Sequence, residues 1–209
     1  MEVPGGSPLA VLRSPRPERR PTTLPRTPAV IAPSPGGSVC GVASIKGQNL
    51  ASIPGTLPGC GVTNPVRITE VAGVRLSQAA TVDCTTAKAL EFWTRKIAIP
   101  TVGRTGGGLA RINVVVSYNC RKRIGTRSNR ISEHGKGRAI DITGFTMRNG
   151  ETFTVLKHWN SGTYGKILKL MHKGACGPFG TVLGPRANAA HRDHFHFDTA
   201  RYRSGSYCR

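Results

Sequence analysis

The chain has 209 residues, 30 lysines and arginines against 10 acidic residues, a net charge of +20, and 38% hydrophobic residues. That supplies one modest core, while no run reaches the roughly 20 apolar residues that a membrane-spanning helix needs. Composition also excludes a collagen and a wholly disordered chain, and leaves an enzyme and a binding module both open.

Residues 1–38 hold nine of the 15 prolines and four glycines, without hydrophobic periodicity. Such a stretch buries too little surface to offset its ordering entropy, so it reads as an extended, mobile tether. No charged-then-apolar segment opens the chain, and no signal peptide is read in it. Residues 39–209 read as one compact domain. It holds 25 basic and eight acidic residues, so the charge belongs to the domain and not to the tether.

Pro65–Leu76 alternates and is β-branched, which suggests short strands. Thr81–Ile97 carries apolar residues at Val82, Ala89, Leu90, Trp93 and Ile97, the spacing of an amphipathic helix that stops before Pro100. Gly106–Gly108 is a turn, and Ala110–Tyr118 a buried strand. Arg138–Phe145 is a further strand; Arg148-Asn149-Gly150 turns the chain into Thr152–Leu156. Tyr164–His172 is a second helix with Ile167, Leu168 and Met171 on its buried face. Phe179–Leu183 and His194–Asp198 close the set as strands. The expected class is α+β, a mostly antiparallel sheet flanked by helices.

The positive charge implies an anionic partner. Nucleic acid would fit, but the basic residues are spread along the chain and aromatics are few for a stacking platform. An anionic cell wall or membrane surface fits the charge as well. Cysteines stand at 40, 60, 84, 120, 176 and 208, with no C-x-x-C pair. An even, widely spaced set reads as three disulfides and an oxidising compartment. Cys40 with Cys60 is the expected local pairing; the other two are not readable.

Three of the six histidines fall in His191-Arg192-Asp193-His194-Phe195-His196-Phe197-Asp198. In a strand, alternation puts His194, His196 and Asp198 on one face and Phe195 and Phe197 in the core. A second segment, Ser132-Glu133-His134-Gly135-Lys136-Gly137-Arg138-Ala139-Ile140-Asp141, has a small, flexible middle that lets His134 and Asp141 face each other. Ile140 and Ile142 flank Asp141, which turns its carboxylate away from the core. His134, Asp141 and one further histidine make three ligands with a fourth position open, the layout of a catalytic rather than a structural zinc site. His158 and His172 have no motif around them and read as ordinary helix or loop histidines.

Ser132-x-His134-x-x-Gly137-x-Ala139-x-Asp141 followed by His-x-His resembles the LAS metallopeptidases, which include lysostaphin-type enzymes, D-Ala-D-Ala carboxypeptidases and the Hedgehog signalling domain. The His-x-x-His-x-His form at 191, 194 and 196 is similar to the penicillin-insensitive murein endopeptidases. Over residues 39–209 the chain is most similar to the bacterial extensin-like C-terminal family, through Cys120-Arg121, Ser132-Glu133-His134, Ala139–Ile142, Trp159, Gly174-Ala175-Cys176, Phe179–Pro185 and the final histidine motif. The resemblance implies zinc on His134, Asp141 and His196, with His194 as catalytic base and His191 as an auxiliary histidine. It also implies an arginine that steadies the substrate carbonyl; Arg121 is the candidate, with Arg123 and Arg127 as rivals. The dipeptidase branch has a glutamate base where this chain has Asp193 and His194.

The function expected on this basis is that of a periplasmic or secreted, monomeric zinc peptidase hydrolysing peptidoglycan stem peptides, as a DD-carboxypeptidase or endopeptidase, with no nucleic-acid partner. The alternatives are a cell-wall-binding module that keeps zinc without turnover, and a basic nucleic-acid-binding protein.

Overall fold

The computed structural model describes residues 37–124, 129–202 and 204–209. The tether expected over residues 1–38 lies almost wholly outside these, as does Arg127. The architecture is α+β, built on a ten-stranded, mostly antiparallel sheet. Its strands are β1 (Ser38–Val39), β2 (Val42–Asn49), β5 (Val66–Val71), β6 (Val74–Val82), β7 (Leu109–Val116), β8 (Ala139–Met147), β9 (Thr152–Thr154), β10 (Thr181–Leu183), β11 (Phe195–Asp198) and β12 (Tyr207–Cys208). They lie in the order β1-β2-β5-β6-β7-β8-β11-β10-β12, with β9 also paired to β8. Only β6–β7 and β10–β12 run parallel. A separate two-stranded ribbon joins β3 (Ile53–Pro54) to β4 (Gly61–Val62).

The β5–β6 hairpin turns on Ala72 and Gly73, both at positive φ. A two-residue turn of this hand matches the twist of the flanking strands and requires φ above zero at both positions. β2 has no clear period-2 pattern, and the sequence reading passed over it. Gly47, Gln48 and Asn49 weaken its strand signal, and only Ile45 in it is fully buried. Pairing with β5 holds it extended. Gly47 is needed there, because a Cβ would come within 2.3 Å of the Arg67 carbonyl oxygen.

The helices are α1 (Cys84–Trp93), α2 (Ile99–Val102), α3 (Val155–His158) and α4 (Gly162–Ala175). The helix expected over residues 81–97 starts later and runs further. Thr81 and Val82 end β6, and Asp83 caps α1 by accepting from the Thr86 amide at 2.7 Å. After Trp93 a π turn over Thr94–Ala98 leads straight into α2, so Pro100 does not stop the chain. Pro100 falls in the first turn of α2, where its fixed φ suits the helix although it supplies no N–H to the turn before it. The segment after the Asn149-Gly150 turn also differs from expectation, since only Thr152–Thr154 is strand and Thr154 caps α3. The helix expected over Tyr164–His172 is α4, and Ile167, Leu168 and Met171 are buried as its spacing predicts.

α1 and α4 bury their apolar stripes on one face of the sheet. Trp93 is fully buried, with its ring 5.2 Å from Phe197 and 6.2 Å from Phe145, and its Nε1 donates to the Met171 carbonyl. Replacing Trp93 by alanine removes the largest side chain of this layer and its hydrogen bond to α4. The expected loss is about 3–5 kcal/mol of folding stability, read from urea denaturation.

Three disulfides close the fold: Cys40–Cys84, Cys60–Cys120 and Cys176–Cys208. The expected Cys40–Cys60 pairing is wrong. Cys40, at the β1–β2 turn, meets the first residue of α1, whereas Cys60 precedes β4 and faces the loop after β7. Short sequence separation does not set the pairing, because the sheet brings distant segments together. The disulfides point to an extracytoplasmic protein. Among the described residues no helix is long and apolar enough to cross a membrane.

Candidate metal centre

β8 and β11 are antiparallel neighbours, and their register sets His196 directly across from Asp141. Alternation does the rest. Phe195 and Phe197 are fully buried against the helices, while His196 and Asp198 project to the opposite face. Asp141 projects there too, between the fully buried Ile140 and Ile142. His194 lies one residue before β11 begins.

His134 reaches the same point from a single 3-10 turn, Glu133–Lys136. The turn ends on Gly137 at φ 67°, and Gly137 packs so closely that a Cβ would meet the Val62 methyls at 2.8 and 2.9 Å. Both demands exclude a side chain. Gly135 is confined similarly, with Cys60 Sγ 2.9 Å from where its Cβ would stand. The Cys60–Cys120 disulfide therefore backs the turn that carries His134.

The three side chains converge. His134 Nε2 is 3.2 Å from Asp141 Oδ2, His196 Nδ1 is 2.9 Å from Asp141 Oδ1, and the two ring nitrogens are 3.1 Å apart. Ligand atoms at roughly 2.0–2.1 Å from a tetrahedral zinc would stand about 3.3 Å apart, so the donor set fits such an ion in both chemistry and spacing. His134 and Asp141 are buried and His196 is nearly so.

The tautomers follow from the partners. The Ser117 carbonyl can only accept, so His134 Nδ1 donates to it at 2.7 Å and Nε2 keeps its lone pair. The Asp198 carboxylate likewise takes the His196 Nε2 proton at 3.2 Å and leaves Nδ1 free to ligate. Such outer partners fix ring orientation and raise ligand basicity. Alternation placed Asp198 on this face without giving it a task; the Ser117 carbonyl carries no sequence signal. Asp198→Ala is expected to weaken metal binding roughly 10- to 100-fold while leaving the three ligands in place, as read by competition with a chelator.

The electrostatics suit a cation. Burial works against ionised Asp141, but the His134 and His196 rings set against it outweigh that and hold the carboxyl well below its ordinary range. Burial also disfavours charged His196, yet Asp141 and Asp198 on either side raise its pKa to about 9, so without an ion the ring carries a proton on Nδ1 as well, which a metal there would displace. Two carboxylates around one imidazole concentrate negative potential in an otherwise strongly basic protein.

The trio lies in a cleft of about 480 Å³ that His191, His194, Arg121 and Arg123 also line. His194 Nδ1 is 2.8 Å from Asp193 Oδ1, so it donates there and leaves the Nε2 lone pair, which is 3.8 Å from Asp141 Oδ2. His191 is held by Asn188 Oδ1 at 2.8 Å, and its ring centroid is 5.3 Å from that of His194. Burial, then the neighbouring His196 and His194, lower the pKa of His191 to about 4. Arg121 donates to the Lys122 carbonyl and, among the described residues, has no carboxylate partner. Arg123 is engaged instead, with Nη2 2.7 Å from the Tyr202 hydroxyl and 3.5 Å from Glu133 Oε1.

Glu133 and Tyr202 form a second group in the cleft wall that sequence reasoning missed. Glu133 is 3% exposed, accepts from the Tyr202 hydroxyl, and is 3.0 Å from Lys136 Nζ. Burial and the hydrogen bond to Glu133 push the Tyr202 phenol up to about 12. The 69 residues between the two leave no local pattern to read. His158 and His172, outside the cleft, are packed as expected: His158 Nδ1 accepts from the Thr154 amide, and His172 lies against Trp159 and Phe195.

Residues 41–209 match the family model described as extensin-like protein C-terminus. No curated protein and no solved structure matches the chain.

Proposed function

We propose that this chain, which belongs to the extensin-like C-terminal family, is a zinc-dependent peptidase that hydrolyses stem peptides of peptidoglycan, in the manner of the LAS metallopeptidases it resembles. The observation that carries this reading is the convergence of His134, Asp141 and His196 beneath a cleft, with the free nitrogen of His194 beside them.

In this reading His134 Nε2, Asp141 and His196 Nδ1 hold the ion. A zinc ion bound there supplies Lewis acidity toward a carbonyl oxygen and makes water a nucleophile near neutral pH. His194 takes the proton of the attacking water on Nε2 and returns it to the leaving amine. Asp193 keeps the ring turned for this by holding Nδ1–H. His191, neutral at pH 7 because its pKa lies near 4, offers a lone pair to a substrate N–H. Arg121 steadies the carbonyl or terminal carboxylate of the peptide, since its guanidinium is not committed to a protein carboxylate. The net charge of +20 favours an anionic wall as the surface on which the enzyme works.

The test is digestion of purified muropeptides by the full chain, read by mass spectrometry, with and without a chelator. The expected result is loss of a terminal residue or opening of a cross-link, abolished by the chelator and restored by zinc. Intact muropeptides with metal bound would support a wall-binding module instead. Binding of DNA with steep salt dependence and no peptide cleavage would support the nucleic-acid reading.

A further inference from the structure

We propose that a second pocket, on the face of the sheet opposite the metal centre, binds an oxyanion: a phosphate or carboxylate group on a ligand of sugar-phosphate size. The proposal is independent of what the metal centre does.

The pocket has a volume of about 540 Å³ and lies against the C-terminal half of α4. Its floor is Trp159 and His172, and its rim carries Lys169, Lys173, Arg186 and Arg209. No acidic side chain lines it. Trp159 and His172 both pack on Phe195, with ring centroids 5.7 and 5.3 Å away. Phe195 points away from the face that carries His196, so β11 separates the two sites.

Three observations distinguish this pocket from an ordinary basic surface. First, Lys169 and Lys173 are four residues apart on α4 and share one side of it, an arrangement in which like charges repel. A cation in the last turn of a helix is favourable by itself, which accounts for Lys173. It accounts neither for Lys169 nor for Arg186 on a separate loop. Among the described residues none of the four rim cations pairs with a carboxylate. Second, a cavity of this size with an aromatic floor is in the range of small-ligand sites; Lys169 Nζ already stands 5.8 Å over the Trp159 ring. Third, His172 lines the pocket with its Nε2 buried and without a hydrogen-bond partner; burial lowers its pKa, and the nearby Arg209 and Leu183 carbonyls offset that only in part. A buried ring N–H left unpaired is unfavourable, and an oxyanion that reached Nε2 in its N–H form would accept from it.

Gly184 keeps the ring where it is, because a Cβ there would stand 2.9 Å from His172 Nε2 and Cδ2. Phosphate and carboxylate share the chemistry argued here, so the test has to tell them apart.

The full chain would be titrated calorimetrically with glucose 6-phosphate, galacturonate and glucose at low salt. A single saturable site for at least one charged sugar, and none for glucose, is expected; the tighter of the two identifies the anion. The double variant Lys173→Glu with Arg186→Glu should bind at least tenfold more weakly, and His172→Phe at least threefold. A control with the same charge change at exposed positions outside the pocket, Arg67→Glu with Lys88→Glu, should stay within twofold of the unmodified chain. All variants should keep their thermal midpoint and metal content. Equal weakening in the control, or binding that never saturates, would show diffuse charge attraction and overturn the site.

Discussion

Asp141→Ala is expected to abolish metal binding and to lower stability together. Asp141 touches both histidines of the trio, at 3.2 and 2.9 Å, so its loss removes a ligand and the carboxylate that keeps the other two oriented. Breaking a buried ionic contact by deleting one partner is destabilising by about 3–5 kcal/mol. The metal adds a further term: at a thousandfold excess over its dissociation constant, a ligand that binds only the native state stabilises by about 4 kcal/mol. Thermal unfolding with and without added zinc separates the two. The unmodified chain should gain several degrees on zinc addition, and Asp141→Ala should start lower and gain nothing. His134→Ala and His196→Ala should behave in the same way.

His194→Ala should do the opposite: keep its metal and its fold, and lose about 10²- to 10⁴-fold in peptide turnover, the usual contribution of a positioned general base. His194 and His196 come from one segment and face the same cleft. They differ in what holds them. His196 is clamped between Asp141 and Asp198, with Nδ1 turned inward. His194 is held only by the half-exposed Asp193, and its Nε2 stays 3.8 Å from the nearest carboxylate oxygen of the trio. Turnover and elemental analysis on the same preparation check this. A metal-free His194→Ala would make His194 a ligand; undiminished turnover would remove it from the reaction.

The parts of the candidate trio were legible because local rules act on each separately, whereas the choice of His196 among the clustered histidines came from the family resemblance. Period-2 alternation sorts His194, His196 and Asp198 from Phe195 and Phe197 without knowing the partner strand. The same rule turns Asp141 away from Ile140 and Ile142. The glycines of the 132–141 segment announce a tight turn, and it is one. α4 was legible in its buried face because three apolar residues recur at helical spacing over enough turns.

What could not be read depends on partners far along the chain. Cys40–Cys84 spans 44 residues and Cys60–Cys120 spans 60, and the sheet order that brings them together is not a local property. β2 is a strand because β5 supplies its hydrogen bonds, not because VASIKGQN alternates. Which nitrogen of each histidine faces Asp141 is decided by a carbonyl at Ser117 and a carboxylate at Asp198. Glu133 meets Tyr202 only after the chain has returned from β11. Pro100 misled for another reason: the rule that proline stops a helix is drawn from regular α turns, and here a π turn stands directly ahead of it and the helix continues through Pro100.

The most direct test of the metal centre is anomalous scattering at the zinc edge from crystals of the full chain grown with zinc. The account predicts one strong peak per chain, within bonding distance of His134 Nε2, an Asp141 oxygen and His196 Nδ1, with His194 outside that distance. Zinc-loaded crystals with no peak between these three side chains, or a peak coordinated by His191 and His194 instead, would contradict it.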